Sequence, residues 1–172
     1  LLNLSESRGP DSTGYYSNNT NSQLGFNRLA ILDLSNNANQ PIISSSGRYT
    51  MVYNGEIYNH IELRNSLPDG KYVFKGNGDT ETLISSFDHY GIIKTVEKLN
   101  GMFAIGIYDN WEEKIYLIRD FAGIKPLYYG WDEDVLIFAS QYDQISRHPY
   151  FVNQSINEEV LKLYLTQHFI PA

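Results

Sequence analysis

Short apolar runs separated by polar residues dominate the chain, and this pattern predicts strands joined by turns. The run from Gln23 to Leu34 predicts a strand with Leu24, Phe26 and Arg28 on one side. Residues 9–22, by contrast, are dense in Gly, Pro, Ser, Thr, Asp and Asn. That composition is typical of loops and turns, so the sequence predicts a loop there.

Further segments with a strand pattern follow along the chain, up to residue 139. A β-rich run covers residues 49–53 and ends at Asn54-Gly55, a dipeptide that favours a tight turn. Further strands are predicted at residues 102–108, 114–119, 127–129 and 135–139. The first two of these predict a hairpin, and an acidic turn at residues 131–134 separates the last two.

Helical spacing is confined to a few separate segments. Residues 57–67 predict a short amphipathic helix, and Thr80 to Tyr90 predict a second one with Leu83, Ile84 and Phe87 on one face. Asp79 is suited to cap the start of the second helix, and Gly91 to end it. A third helix is predicted at residues 157–165. Clustered hairpins with a separate block of helices favour an α+β fold with antiparallel sheets.

Composition narrows the class of protein. The 172 residues, of which 42% are hydrophobic, suffice for one domain with a buried core. Thirteen basic against 20 acidic residues give a net charge of −7, which argues against nucleic acid and anionic membrane surfaces as partners. No apolar run has the length of a membrane span, and the N-terminus lacks the pattern of a signal peptide. We therefore expect no membrane partner and a cytoplasmic location.

Several kinds of catalytic site are excluded within these residues. The chain contains no cysteine, so it has neither a thiolate zinc site nor a cysteine nucleophile of its own. Its four histidines are far apart in the sequence and match no metal-binding spacing, so we expect no metal site. Neither a phosphate-binding P-loop nor a Gly-x-Ser-x-Gly nucleophile motif is present.

Three candidate positions each allow an ordinary structural interpretation and a functional one. Asn54-Gly55 is most simply a turn, but a side-chain amide beside a glycine N–H can also receive a developing oxyanion. Arg28 is either a charge at the rim of a strand or a two-pronged clamp for a carboxylate. Asp79 is either a helix cap or an anchor for a ligand ammonium group.

These positions belong to a series of short motifs that span almost the whole chain. The motifs are Arg8-Gly9-Pro10-Asp11, Arg28 to Ser35, Gln40-Pro41, Asn54 to Asn59, Asp79-Thr80-Glu81, Leu99 to Ala104, Arg119-Asp120, Gly123 to Tyr129 and Phe138-Ala139-Ser140. In this order they resemble the glutaminase domain of glutamine-hydrolysing asparagine synthetases, from Leu4 to Ala172.

The resemblance implies a fold and an activity. The fold is that of N-terminal-nucleophile hydrolases, a four-layer α/β/β/α sandwich of antiparallel sheets. The activity is that of a class II glutamine amidotransferase, which hydrolyses the side-chain amide of glutamine to glutamate and ammonia. The glutaminase step implies no cofactor. ATP and Mg²⁺ belong, on this resemblance, to a covalently following synthetase domain that uses the ammonia, and a homodimer is left open.

The resemblance also implies roles for particular residues. Arg28 would hold the α-carboxylate of glutamine, and Asp79 would pair with its α-ammonium. Asn54 and Gly55 would donate hydrogen bonds to the tetrahedral oxyanion, and Glu56 would lie beside the substrate. The remaining substrate-lining positions form one stretch, namely Leu29, Ala30, Ile31 and Leu32.

One element of the resemblance is missing from the 172 residues. The family nucleophile is an N-terminal cysteine, and this sequence contains none. We expect the chain to be a fragment, with the nucleophile upstream of Leu1, an amidotransferase domain at residues 1–165 and a linker to the synthetase domain beginning at residues 166–172. As a fragment it would be inactive. The alternatives are a catalytically silent domain that serves packing, oligomerisation or ligand sensing, and a different N-terminal-nucleophile hydrolase such as an amidase.

Overall fold

The computed structural model of the protein describes residues 1–18, 21–29 and 39–168, in which we number the strands and α-helices in chain order. The strands are β1 Ser12–Ser17, β2 Gln23–Arg28, β3 Ile42–Ile43, β4 Tyr49–Ile57, β5 Gly101–Asp109, β6 Lys114–Arg119, β7 Tyr128–Asp132 and β8 Val135–Ala139. The helices are α1 His60–Asn65, α2 Asp79–Tyr90, α3 Ile92–Val96, α4 Tyr142–Ser146 and α5 Glu158–Gln167. A 3-10 helix, Leu2–Arg8, precedes β1.

The strands form two layers that pack face to face. One is a four-stranded antiparallel sheet in the order β3-β4-β5-β6. The other consists of the antiparallel pairs β1-β2 and β7-β8. Leu24 of β2 packs with Val52 of β4 and Tyr108 of β5 in a cluster that also includes Phe138 of β8. This cluster joins the two layers of strands.

Helices cover the outer faces of both layers. On the four-stranded sheet, apolar residues of β4 and β5 pack with Leu63 of α1 and with Leu83, Ile84 and Phe87 of α2. On the other side, α4 packs against β7, β8 and the 3-10 helix. The molecule is therefore a four-layer α/β/β/α sandwich of antiparallel sheets, which confirms the expected fold.

The local patterns predicted several elements correctly. The β5-β6 hairpin is present, and α2 ends at Gly91, whose φ of 80° suits a glycine. Helix α5 begins after Asn157, whose side chain accepts hydrogen bonds from the N–H groups of Glu159 and Val160. The turn between β7 and β8 is shorter than predicted, because Asp132 still belongs to β7.

The loop predicted at residues 9–22 is wrong, because the middle of this segment is strand β1. Its main chain pairs with β2 from Ser12 opposite Arg28 to Ser17 opposite Gln23. β1 is an edge strand with mostly exposed or half-buried side chains, so its polar composition is compatible with a strand. Gly14 is required by packing, since a Cβ there would lie 1.7 Å from the main-chain oxygen of Gln40.

Two helix starts also differ from the predictions. Ile57 ends strand β4 and is fully buried, so α1 begins later, at His60, and Ile61 on it is exposed. Asp79 is the first residue of α2 and Gly78 occupies the capping position. The predicted strand from Gln23 to Leu34 is observed up to Arg28, and its part from residue 30 onward lies outside the described residues. Within the described ranges, every helix is too short or too polar to cross a bilayer.

An ion pair between the buried carboxylate of Asp109 and the partly exposed guanidinium of Arg48 lies at the Tyr49–Asp109 end of the β4-β5 ladder. The carboxylate of Asp109, which is fully buried, accepts hydrogen bonds from Arg48 Nε at 2.9 Å and Nη2 at 2.7 Å. It also accepts from the N–H groups of Trp111 and Glu112. Burial alone would raise the pKa of Asp109, but these donors together outweigh it and hold the pKa below its usual value.

The ion pair of Arg48 and Asp109 should make the free energy of unfolding depend on pH. Because the folded pKa of Asp109 is depressed, its contribution is complete above the ordinary aspartate pKa of about 3.9 and is lost as pH falls through the folded value. We expect Asp109→Asn to lower the free energy of unfolding by about 2 kcal/mol at pH 7, because charged hydrogen bonds to a buried carboxylate are weakened, with the deficit shrinking below a pH of about 4. Urea unfolding at several pH values measures this. Glu112→Gln, which changes the exposed partner of Arg48, is the control and should have little effect.

Candidate active site

A cavity of about 1170 Å³ lies between the two layers of strands. Residues of β2, β4, β5 and β8 and the start of α2 form its walls. Six of the residues predicted as site residues line it, namely Arg28, Leu29, Asn54, Gly55, Glu56 and Asp79. The other three, Ala30, Ile31 and Leu32, lie outside the described residues. The structure thus brings together residues from three distant parts of the sequence, while their individual roles stay predictions.

Asn54-Gly55 is not a turn, contrary to the simpler interpretation of this dipeptide. Both residues lie inside β4, where Asn54 pairs with Ala104 and Gly55 with Phe103 of β5. A Cβ on Gly55 would lie 2.1 Å from the main-chain oxygen of Met102. Glycine is therefore needed here because two strands approach closely, and a side chain at this position would force β4 and β5 apart.

The alternation of β4 determines what this strand presents to the cavity. Val52 belongs to the cluster between the strand layers, so Asn54 and Glu56, two and four residues later, project toward the same side. In an antiparallel ladder, N–H groups point alternately to the two neighbouring strands. The N–H groups of Tyr53 and Ile57 point away from β5, to Gln40 and Asp79, and Gly55 shares their direction. The part of β4 that lines the cavity thus carries the side-chain amide of Asn54 and the N–H of Gly55, which is not directed at β5.

Asp79 is held against β4 by two hydrogen bonds. Its side chain is 5% exposed, and its Oδ2 accepts from the hydroxyl of Tyr53 at 2.6 Å and from the N–H of Ile57 at 2.9 Å. These partners lie 26 and 22 residues away in sequence. The cap predicted for this carboxylate is therefore wrong, because α2 has no side-chain cap and Asp79 binds the neighbouring strand instead.

Arg28 is buried, so it is not a charge at the rim of the sheet. It shares the inward face of β2 with Leu24 and is 7% exposed. One guanidinium nitrogen, Nη1, donates to Oδ1 of Asn39 at 2.8 Å. A cation buried on the cavity wall can supply fixed positive charge to a ligand.

Gln40 and Tyr53 connect these groups, and the sequence analysis assigned a role to neither of them. Gln40 is buried, and its Nε2 donates to the main-chain oxygen of Tyr53 at 2.9 Å. In return the N–H of Tyr53 donates to Oε1 of Gln40 at 2.5 Å. A continuous series of contacts and chain neighbours therefore runs from Arg28 through Asn39, Gln40 and Tyr53 to Asp79. Gln40-Pro41 is one of the matching motifs, but the main-chain pairing that Gln40 makes leaves no sequence pattern.

The loop that leads into α2 is fixed by two charged side chains. Arg64 of α1 donates to the main-chain oxygens of Gly76 at 3.1 Å and Gly78 at 2.7 Å. Glu81 accepts from the N–H groups of Lys75 and Gly76. Since Asp79 directly follows this loop, these bonds fix the main chain from which its carboxylate projects.

The lining of the cavity combines groups of both charges with neutral hydrogen-bond donors. It offers a buried guanidinium, a buried carboxylate and neutral amide donors on one set of walls. Burial and the neighbouring carboxylate of Asp79 raise the pKa of Tyr53 well above its usual value, so its hydroxyl keeps its proton. Within the described ranges, no three histidine or acidic side chains come together as metal ligands.

Comparison with known proteins agrees with this geometry. The family described as "Glutamine amidotransferase domain" matches residues 1–172. "Asparagine synthetase [glutamine-hydrolyzing] 1" of Bacillus subtilis is 40% identical over 167 residues, which is 95% of this chain and 25% of that protein. "Asparagine synthetase B [glutamine-hydrolyzing]" of Escherichia coli is 40% identical over 141 residues, or 81% of this chain and 24% of that protein.

A solved structure supports the fold. Glutamine phosphoribosylpyrophosphate amidotransferase from B. subtilis superposes with a TM-score of 0.56 over 69% of this chain and 27% of its own, at 23% identity. The chain spans about a quarter of the length of the two curated relatives described above. The match of the family over the entire sequence is the decisive finding. This chain belongs to the glutamine amidotransferase domain family.

Proposed function

We propose that the cavity binds free glutamine and that the domain hydrolyses its side-chain amide to glutamate and ammonia. The observation that carries this proposal is the presence of buried Arg28 and buried Asp79 on the walls of one cavity. Free glutamine has a carboxylate and an ammonium group on the same carbon, so its recognition needs one fixed cation and one fixed anion. Arg28 and Asp79 supply these, and their burial strengthens each interaction.

The end of β4 fits the proposed role in the chemical step. When a nucleophile attacks the amide carbon, the carbonyl oxygen gains negative charge, and neutral donors that are already in place stabilise it. The side-chain amide of Asn54 and the N–H of Gly55 are such donors. The β4-β5 ladder holds both of them, so little reorganisation is needed as charge develops. Leu29 and Glu56 line the same cavity and are proposed to lie beside the substrate.

The nucleophile is proposed to be an N-terminal cysteine from sequence outside these 172 residues. Its α-amine would take the thiol proton as the sulfur attacks the amide carbon and would pass this proton to the amide nitrogen, so that the C–N bond breaks and ammonia leaves. Water would then hydrolyse the thioester, which releases glutamate and restores the thiol. One feature of the cavity supports this. Strands β2 and β8 both line the cavity, and within the described ranges each pairs on one side only, which leaves strand edges there for a further segment.

The larger protein is proposed to be a glutamine-hydrolysing asparagine synthetase. The names of the relatives from B. subtilis and E. coli and the quarter of their length that matches support this. The ammonia would pass to a covalently following synthetase domain that uses ATP and Mg²⁺, with the linker beginning after residue 165. The glutaminase step itself uses no cofactor in this proposal.

The nucleophile can be tested on the protein's full reading frame. We expect a cysteine codon directly after the initiator methionine, because hydrolysis needs a nucleophile with a free α-amine. The full-length protein should release ammonia from glutamine, whereas the 172 residues alone should release none, since they lack cysteine. A mature start other than Cys, Ser or Thr would contradict hydrolysis and favour a catalytically silent domain.

Arg28→Ala in the full-length protein tests substrate binding. Loss of a buried cation that holds the α-carboxylate should weaken glutamine binding by about 2–4 kcal/mol, which appears as a KM raised by a factor of roughly 30 to 1,000. Glutaminase kinetics with ammonia detection measure this. Arg147→Ala, at an exposed position outside the cavity wall, is the matched control and should leave KM unchanged. An unchanged KM in Arg28→Ala rejects the clamp.

Asn54→Ala tests the oxyanion site. Removing one donor to the transition state should lower kcat by about 10²-fold or more, while KM changes little because the ground-state carbonyl gains less from the same bond. The same assay separates the two parameters, and thermal unfolding checks that β4 is intact. Near-normal turnover would leave Asn54 as a structural residue of the strand.

A further inference from the structure

Tyr53 is a buried residue that lies between Asn54 and Asp79, two of the residues proposed to contact the substrate. It is 3% exposed and immediately precedes Asn54 in β4. Its ring belongs to the core between the four-stranded sheet and the helices, but its hydroxyl donates to Oδ2 of Asp79 at 2.6 Å. A core tyrosine is thus joined to a carboxylate on the cavity wall.

We propose that Tyr53 is a positioning residue, whose hydroxyl holds the Asp79 side chain so that Oδ1 faces the α-ammonium of the substrate. This inference rests on the proposed function, since it assumes that Asp79 binds that ammonium. The neighbouring contacts support it. Oδ2 of Asp79 accepts hydrogen bonds from the hydroxyl of Tyr53 and the N–H of Ile57. The contact of Oδ1 with Thr80 Oγ1 is longer, at 3.5 Å, and lies at the limit of a hydrogen bond. Among the described residues no other donor contacts Oδ1, which leaves most of its accepting capacity for a ligand.

The helix to which Asp79 belongs does not fix its side chain. Asp79 is the first residue of α2, and the start of this helix has no side-chain cap bond. The rotation of its carboxylate about χ2 is therefore set by the partners on β4, of which Tyr53 supplies the only side-chain donor to Oδ2 among the described residues. Without the hydroxyl, the N–H of Ile57 remains as a single donor, and one donor restricts the rotation of a carboxylate less than two do.

Tyr53 is itself held at its main chain. Gln40 bonds both its N–H and its carbonyl oxygen, so the hydroxyl projects from a fixed point of the strand. The raised pKa of Tyr53 keeps the hydroxyl protonated and therefore a donor at all ordinary pH values. Because Asn54 is the next residue, the same segment of β4 would fix the ammonium site and the oxyanion site relative to each other.

The test compares two ligands in the full-length enzyme. One is L-glutamine, and the other is glutaramic acid, which is glutamine without the α-amino group. In Tyr53→Phe, KM for glutamine should rise about tenfold, because a charge-assisted contact is weakened, while kcat changes less than about threefold. The inhibition constant of glutaramic acid against glutamine hydrolysis should stay within about twofold of the wild-type value. This ligand has no ammonium group, so it makes no contact with Asp79 that the variant could weaken.

A matched control and a second variant separate the possible outcomes. Tyr49→Phe removes a hydroxyl from an equally buried tyrosine on the same face of β4, four residues away, and should change neither constant. In Asp79→Asn, KM for glutamine should rise and the glutaramic acid constant should not. If Asp79→Asn fails to separate the two ligands, the assignment of Asp79 in the proposed function is wrong.

The remaining outcomes concern Tyr53 alone. If Asp79→Asn separates the ligands but Tyr53→Phe weakens both equally or neither, the positioning role is overturned while the proposed function stands. Partial unfolding of Tyr53→Phe does not obscure the result, because the same folded fraction binds both ligands and their ratio does not depend on its amount. When Tyr53→Phe is combined with Asp79→Asn, it should not change the ratio of the glutamine KM to the glutaramic acid inhibition constant any further. An additive change in this ratio would also overturn the positioning role.

Discussion

The pairing of β4 with β5 is the constraint on which the rest of the structure depends. Nine residues of each strand lie opposite each other without interruption, from Tyr49 opposite Asp109 to Ile57 opposite Gly101. Because side chains alternate, one face of this ladder completes the core beneath α1 and α2, and the other faces the cavity. At Gly55 the two strands approach so closely that a Cβ would meet the main chain of β5. A slip of one residue would exchange Tyr53 and Asn54 between the core and the cavity.

The edge of β4 shows how polar groups are accommodated at the end of this ladder. Strand β3 pairs with β4 only at Thr50 and Met51, so beyond that point the outward main-chain groups of β4 need other partners. Gln40 supplies one donor and one acceptor to Tyr53, and Asp79 accepts the N–H of Ile57. Side chains thus replace a neighbouring strand here. The gap in the sheet thus brings the carboxylate of Asp79 to the edge of β4 that carries the N–H of Gly55.

Local sequence patterns predicted the elements whose partners are close in sequence. The β5-β6 hairpin and the buried face of α2 follow from periodicity and nearby turn residues. Strand β1 is an exception, because its partners in β2 lie only 6 to 16 residues away and it was missed for its polar composition. The position of Asn54-Gly55 was missed because residues of β5, 48 and 50 positions away, determine it. The candidate site came from a resemblance of ordered motifs. Tyr53 and the pairing by Gln40 carry no such signal, since a tyrosine in a strand reads as core.

The position of the two proposed charges has a consequence for how such a site selects its substrate. Arg28 lies on β2 in one layer of strands, whereas Asp79 begins α2 in the helix layer beyond the other. Their separation is therefore set by the packing of layers, through contacts such as Leu24 against Val52, rather than by one rigid element. Selectivity for the α-carboxylate and α-ammonium of an amino acid would then depend on how rigidly the packed core holds the distance between the two charges. Truncation of a core side chain between the layers would therefore weaken recognition of the substrate, although every group that touches the substrate would still be present.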